Sequence, residues 1–318
     1  MKESLDQEKH VKPLLSTLIG CFKDDSWPVR DAACVSVGDF VKHFDAGEQK
    51  EELKNCMLKN LRDPIASVRQ GAAVALGKFT SKYPDSLEEF KTMMLDGFEK
   101  VTDQKPTANA NPRMDTKPAN FGVIKEIRSS DNDGIVENQT MYSCGSLAPK
   151  MKAGGGCSAS HGYTRPAEPW EIADGNVRLF AELCSSIETN DDKKSPVATQ
   201  HPLEKNDMIK KLVDVTRHRG YKQSDILLET VCTNLSKICI GWGARRFKRY
   251  LDDDEFILEV LLRAFKSQVQ LTSVASENTI VSLSKTIGAT IFEARVKKFH
   301  NAEYDEMIHT AMLSARLQ

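Results

Sequence analysis

Pro28 to Phe40 reads PVRDAACVSVGDF, and Ser67 to Phe79 reads SVRQGAAVALGKF. The two stretches align without a gap at an offset of 39 residues, setting Val29 on Val68, Arg30 on Arg69, Gly38 on Gly77 and Phe40 on Phe79. Self-similarity at such a period marks units that bury their apolar faces by stacking on one another. In each copy the apolar residues recur at helical spacing: Val29, Ala33, Val37 and Phe40 in the first, Val68, Ala72, Leu76 and Phe79 in the second. One face of each helix is therefore buried.

Each copy follows a shorter apolar segment, VKPLLSTLIGCF in one case and EELKNCMLKNL in the other. The turns between the parts, KDDSWP and RDP, carry the aspartate and proline that stop one helix and start the next. Each unit is thus a helical hairpin, and the small residues on its second helix let neighbouring hairpins approach closely. A third copy, WEIADGNVRLFAEL, sits at an offset of 143 from the first, with Ile172 on Val29, Asp174 on Asp31 and Leu183 on Phe40. Ala173 stands where the first two copies have arginine. The matching first helix, SLEEFKTMMLDGFEKV, lies far upstream, so residues 103 to 168 form a long insertion within the third hairpin.

Helical periodicity continues with a looser consensus. KNDMIKKLVDVTRH pairs with SDILLETVCTNLSKICIG, where Leu227, Val231, Leu235 and Ile238 share a face. FILEVLLRAFKSQV pairs with SVASENTIVSLSKTIGATIF, read as one helix burying Ile280, Leu283, Ile287 and Ile291. YDEMIHTAMLSARL reads as the first helix of a sixth unit, which suggests a chain cut from a longer array rather than one closed by a cap.

The residues Asp25, Pro28, Val29 and Arg30, repeated as Asp63, Val68 and Arg69, resemble the HEAT repeat of the armadillo-type superhelix group. The resemblance implies an all-α fold, a right-handed superhelical solenoid of about five to six HEAT-type hairpins with a long, largely irregular insertion in the third. It also implies that the aspartates Asp25 and Asp63 and the arginines Arg30 and Arg69 ladder between adjacent repeats. The expected organisation is repeats one and two with the first helix of repeat three in 1–102, the insertion in 103–168, and the remaining helices in 169–318.

Composition excludes several function classes. The chain is 40% apolar and 28% charged with a net charge of -1, so no basic excess advertises nucleic acid or an anionic membrane. The start, MKESLDQEKHVKPLL, lacks the apolar stretch of a secretory signal, and no run approaches the roughly 20 apolar residues of a membrane span. Eight cysteines are scattered mostly through helical patterns, as small hydrophobes in a reducing compartment would be. Cytoplasm or nucleus is the expected location.

No catalytic pattern emerges. GAAVALGKF misses the phosphate-loop spacing and lies within a helix, GCSAS lacks the closing glycine of a nucleophile elbow, and neither HExxH nor a His-Glu dipeptide occurs. In the insertion, residues 103 to 120 are polar and proline-bearing, and residues 121 to 143 alternate around Asp133-Gly134 like a small hairpin. Cys144, Cys157 and His161 are weak metal candidates, because a structural zinc site needs four ligands in a recognisable spacing. No cofactor is expected.

Two clusters are rich in interaction-prone side chains. YTRPAEPW offers Tyr163, Arg165, Glu168 and Trp170, which serve either a partner or the packing of the third hairpin. GWGARRFKRYL interleaves Arg245, Arg246, Lys248 and Arg249 with three aromatics, a pattern able to meet phosphates or an acidic protein face. Asp39, Lys78 and Glu182 fall at equivalent places on the second helices and form either a binding row or a solvated one. The resulting expectation is a non-catalytic scaffold or adaptor for another protein, with nucleic acid disfavoured and no membrane. One alternative is a tubulin-binding module similar to TOG domains, with Trp27 at the first turn and only Arg62 at the second; the other is a metal-dependent enzyme or zinc site housed in the insertion.

Overall fold

The computed structural model describes residues 10–105, 166–186, 203, 208–252 and 256–317. Among these the regular structure is helical throughout. The first hairpin pairs α1 (Lys12–Cys21) with α2 (Trp27–His43), and the second pairs α3 (Lys50–Asn60) with α4 (Ala66–Lys82). The third joins α5 (Leu87–Glu99) to α6 (Pro169–Ser186), and the fourth α7 (Met208–Val215) to α8 (Ser224–Trp242). Two short helices follow, α9 (Ala244–Phe247) and α10 (Arg249–Asp252). The fifth hairpin is α11 (Phe256–Phe265) with α12 (Gln270–Ile287), after which come α13 (Ala289–Lys297) and α14 (Ala302–Leu317).

Local chemistry explains where the hairpins turn. Pro28 occupies the first turn of α2, where its missing N–H costs nothing, and Ser26 before it is extended. Asp24 accepts the Ser26 N–H at 2.8 Å, and Asp63 accepts the Ile65 N–H at 2.9 Å, so each second helix is entered through an aspartate-stabilised turn.

The second helices α2, α4, α6, α8 and α12 pack on one another in chain order, while the first helices line the other layer. Contacts join equivalent positions along them: Lys78 meets Asp39, Thr230 meets Asp174, and the Thr279 hydroxyl donates to the Cys232 carbonyl. The second helices therefore run parallel, and the turns after each of them share one edge of the array. A single core runs from Val11 to Ala311 through the buried faces of both layers. Close approach is built into α6, where a Cβ added at Gly175 would lie 2.0 Å from the Leu61 carbonyl oxygen.

One expected helix is divided. The segment read as continuous to Ile291 stops at Ile287, because Gly288 takes φ +100 and the chain restarts as α13. Ile280, Leu283 and Ile287 are buried as expected, but Ile291 lies beyond the break and is 44% exposed. A positive φ of this size strains any residue with a side chain, so the glycine itself marks the break.

Candidate functional site

Arg30 and Arg69 do the same job in successive units. Arg30 donates to the Asp24 and Asp25 carbonyls, each at 2.9 Å, and reaches Asp63 of the next unit at 2.8 and 3.2 Å. Arg69 donates to the Asp63 and Pro64 carbonyls at 2.7 and 3.0 Å and reaches Asp174 at 2.7 Å. Both guanidinium groups and both carboxylates are buried. Each arginine thus ties its own turn to the next hairpin through a desolvated ion pair and part-buried or buried bonds to carbonyls. Asp25 supplies only its backbone to this ladder; by register and by its turn, Asp24 is the equivalent of Asp63.

In the third unit the carboxylate changes place. Ala167 aligns with Asp63 and has no acid to offer, so Asp174, on α6 itself, receives Arg69. Asp174 also accepts from Arg178 at 2.8 Å and from the Thr230 hydroxyl at 2.6 Å. Burial alone would push its carboxyl up, but the charges of Arg69 and Arg178 and the hydrogen bonds from Arg178 and Thr230 hold it well below the usual carboxylate range. Sequence alignment placed Asp174 on Asp31 and so missed this role, together with Arg178 and Thr230.

Trp170 belongs to the same assembly. It is 5% exposed, with the Arg69 guanidinium 5.2 Å from its ring centroid. Its indole N–H donates to Glu168 at 3.0 Å, and Gln104 bonds both the Glu168 carboxylate at 3.2 Å and the Trp170 backbone N–H at 3.2 Å. The Glu168 N–H in turn donates to buried Glu171 at 2.9 Å, capping α6. Residues 104 and 168–170 therefore meet, and the chain leaves and re-enters the array at one point. Tyr163, Arg165, Cys144, Cys157, His161 and the hairpin around Asp133 lie outside the described residues. Among the described residues no group of His, Cys, Asp and Glu is arranged to hold a metal ion.

The row of charges on the second helices pairs with itself. Lys78 meets Asp39 at 2.9 Å, and Glu182 meets Lys237 of the following unit at 2.5 Å. Trp27, at the start of α2, is half-buried against the core, and Arg62 is exposed.

The GWGARRFKRYL segment separates its two kinds of side chain. Trp242, Phe247 and Tyr250 turn inward, with Trp242 edge-on to both Phe180 and Tyr250. Arg245 and Arg249 are exposed, with Arg246 and Lys248 half-buried beside them. Arg249 stacks on and donates to Tyr250. From α13, Arg295 donates to the Lys248 carbonyl at 3.3 Å and pairs with Asp252, which Lys298 also approaches at 3.6 Å. The outcome is a corner of the array, on the edge after the second helices, where cations from α9, α10 and α13 gather.

The HEAT-repeat family model matches residues 14–44, which span most of the first hairpin. The solved structure of yeast importin-beta (Kap95p) overlaps 94% of this chain at 16% identity, with a TM-score of 0.31. The chain spans 33% of the length of that one. No curated protein matches the chain.

Proposed function

We propose that this HEAT-repeat solenoid is a non-catalytic scaffold or adaptor that binds other proteins along its surface, in the cytoplasm or nucleus. The observation that carries the reading is the continuous stack α2–α4–α6–α8–α12 over a single core, its first three hairpins tied together by buried Arg–Asp pairs. Such a stack is stiff along its length and exposes a long surface of repeated helices and turns, which suits peptides and elongated partners. None of the described helices is long and apolar enough to cross a membrane.

The surfaces in contention are the corner with Arg245, Arg246, Lys248 and Arg249, the first turn with Trp27, and the neck residues Glu168 and Trp170 with the segment they enclose. The Gln104, Glu168 and Trp170 contacts close the array without that segment, so its removal is compatible with an intact fold. The test is affinity capture with mass spectrometry, comparing the full chain with one in which residues 106–165 become a short Gly/Ser linker, after circular dichroism shows equal helicity. Partners that vanish on replacement assign docking to the inserted segment, and partners that persist assign it to the repeats. Stoichiometric zinc or iron in the purified protein, or reproducible turnover by it, would overturn the non-catalytic reading.

A further inference from the structure

The edge after the second helices is most basic at one end. After α2 and α4 its exposed residues mix the acids Asp45, Glu48, Asp85 and Glu88 with Lys42 and His43, and Glu48 and Glu88 are paired with Lys12 and Lys91. After α8 and α12 the described residues of the edge include Arg245, Lys248, Arg249, Arg295, Lys297 and Lys298, beside Asp252 and Glu293. The chain is neutral within one charge overall, so this is a local excess of cations at one corner and not a global one.

The basic corner is also a built surface. Its backbone is anchored by Trp242, Phe247 and Tyr250, which are buried, so the cations stand on a fixed turn. Arg295 holds α13 against that turn through the Lys248 carbonyl and Asp252. Much of the charge elsewhere on the array is spent in pairs such as Lys78–Asp39 and Glu182–Lys237. Here Asp252 already serves Arg295 and Lys298, and Arg245 and Lys297, both on exposed positions, have no carboxylate partner among the described residues.

We propose that this corner, formed by α9, α10 and α13, binds an acidic segment of a partner protein. The inference rests on the scaffold reading and deepens it by naming the partner's chemistry. An extended run of Asp and Glu a few residues long matches a cluster of this size, and exposed arginines suit carboxylates through paired N–H donors. A nucleic acid fits less well. A duplex engages cations along many phosphates, whereas this cluster is confined to one corner.

The test uses the full chain and fluorescence anisotropy with three labelled probes: an oligo-glutamate peptide, a Gly/Ser peptide of the same length, and a single-stranded oligonucleotide of the same charge. The expected result is binding of oligo-glutamate only, weakening as salt rises above roughly 0.15 M. Arg245→Glu and Lys297→Glu should each weaken it about fivefold, since a lost attraction is joined by a repulsion. Lys42→Glu, near the end of α2, should leave it unchanged. Circular dichroism of each variant, with Arg245→Ala as a milder second change, separates lost binding from lost structure. Equal or tighter binding of the oligonucleotide, no binding of oligo-glutamate, or binding indifferent to the reversals would overturn the proposal. So would salt-sensitive self-association that Arg245→Glu abolishes, because the occupant would then be a second copy. Failure here leaves the scaffold reading intact if the capture experiment still returns partners.

Discussion

Replacing Asp174 with asparagine should destabilise the protein by about 3 kcal/mol, the lower end of the cost of removing one partner from a buried ion pair. The magnitude follows from what is left behind. Arg69 is 1% exposed and would keep its two carbonyl acceptors and the Trp170 ring but lose the one carboxylate it contacts among the described residues. Arg178 would lose the same carboxylate, yet its side chain is 17% exposed and retains Gln70 at 2.8 Å, so it contributes less. Asparagine preserves shape and one acceptor, which keeps the cost below that of alanine. The assay is urea unfolding followed by circular dichroism and tryptophan fluorescence together, because repeat arrays do not always unfold in one step. Asp39→Asn, which breaks the exposed pair with Lys78, is the reference and should cost far less than Asp174→Asn. The same cycle has a pH arm. A carboxyl held below its ordinary value contributes stability above that value and loses it as pH falls towards the native one. The gap between the parent protein and Asp174→Asn should therefore be full near neutrality and shrink as pH drops below about 4. A cost no larger than that of Asp39→Asn, or a gap that does not change with pH, would refute the account of the ladder.

Three further outcomes follow from packing. Gly175→Ala places a Cβ 2.0 Å from the Leu61 carbonyl oxygen, and Gly241→Ala places one 2.3 Å from the Cys184 carbonyl, so each should cost about 1–3 kcal/mol or more by urea unfolding. Gly20→Ala, with nothing within 4 Å, should be neutral or stabilising by up to about 1 kcal/mol in the same assay. Burial pushes the Cys232 and Cys239 thiols up to about 12 and holds the Cys184 thiol well above its ordinary value, so peptide mapping after alkylation near neutral pH should find all three unmodified until denaturant is added. Ile287→Ala should cost about 2–5 kcal/mol, whereas Ile291→Ala should stay within about 0.5 kcal/mol because its side chain is already exposed.

The fold was legible where one residue's surroundings repeat. Val37 and Leu76, or Phe40 and Phe79, are buried at equivalent places one unit apart, so a 39-residue offset and a helical period suffice to pair the hairpins, although Val29, expected on the buried face, is only half-buried where Val68 is fully buried. The site was less legible because its residues are joined across units without a constant spacing. Arg30 reaches forward 33 residues to Asp63, but Arg69 must reach 105 residues to Asp174, since an insertion separates the two helices of the third hairpin. An alignment that holds register assigns Asp174 to the place of Asp31, whose carboxyl burial and the Asp63 charge instead push up. Only Ala167, standing where an acid belongs, signals that the carboxylate must come from elsewhere. Gly288 is the corresponding signal for α13: a glycine near the expected end of an apolar helix reads as tolerated, and only its positive φ makes it a break.

The placement of charge bears on where a partner can dock. Along the second helices, acid and base from adjacent units neutralise one another, so the row of Asp39, Lys78, Glu182 and Lys237 stabilises stacking and offers little net field to a ligand. Inside the array the arginines are desolvated and fully engaged. Exposed cations with no carboxylate partner among the described residues, Arg245 and Lys297, are instead found at the edge, where a turn at Gly243 or Gly288 inserts a short helix between repeats. Those extra turns are not needed to pass from one hairpin to the next, since α2 and α4 manage it with a few residues and one 3-10 turn. Their presence in the fourth and fifth units, with aromatics inward and cations outward, is what a regular stack acquires when one of its corners is used for recognition.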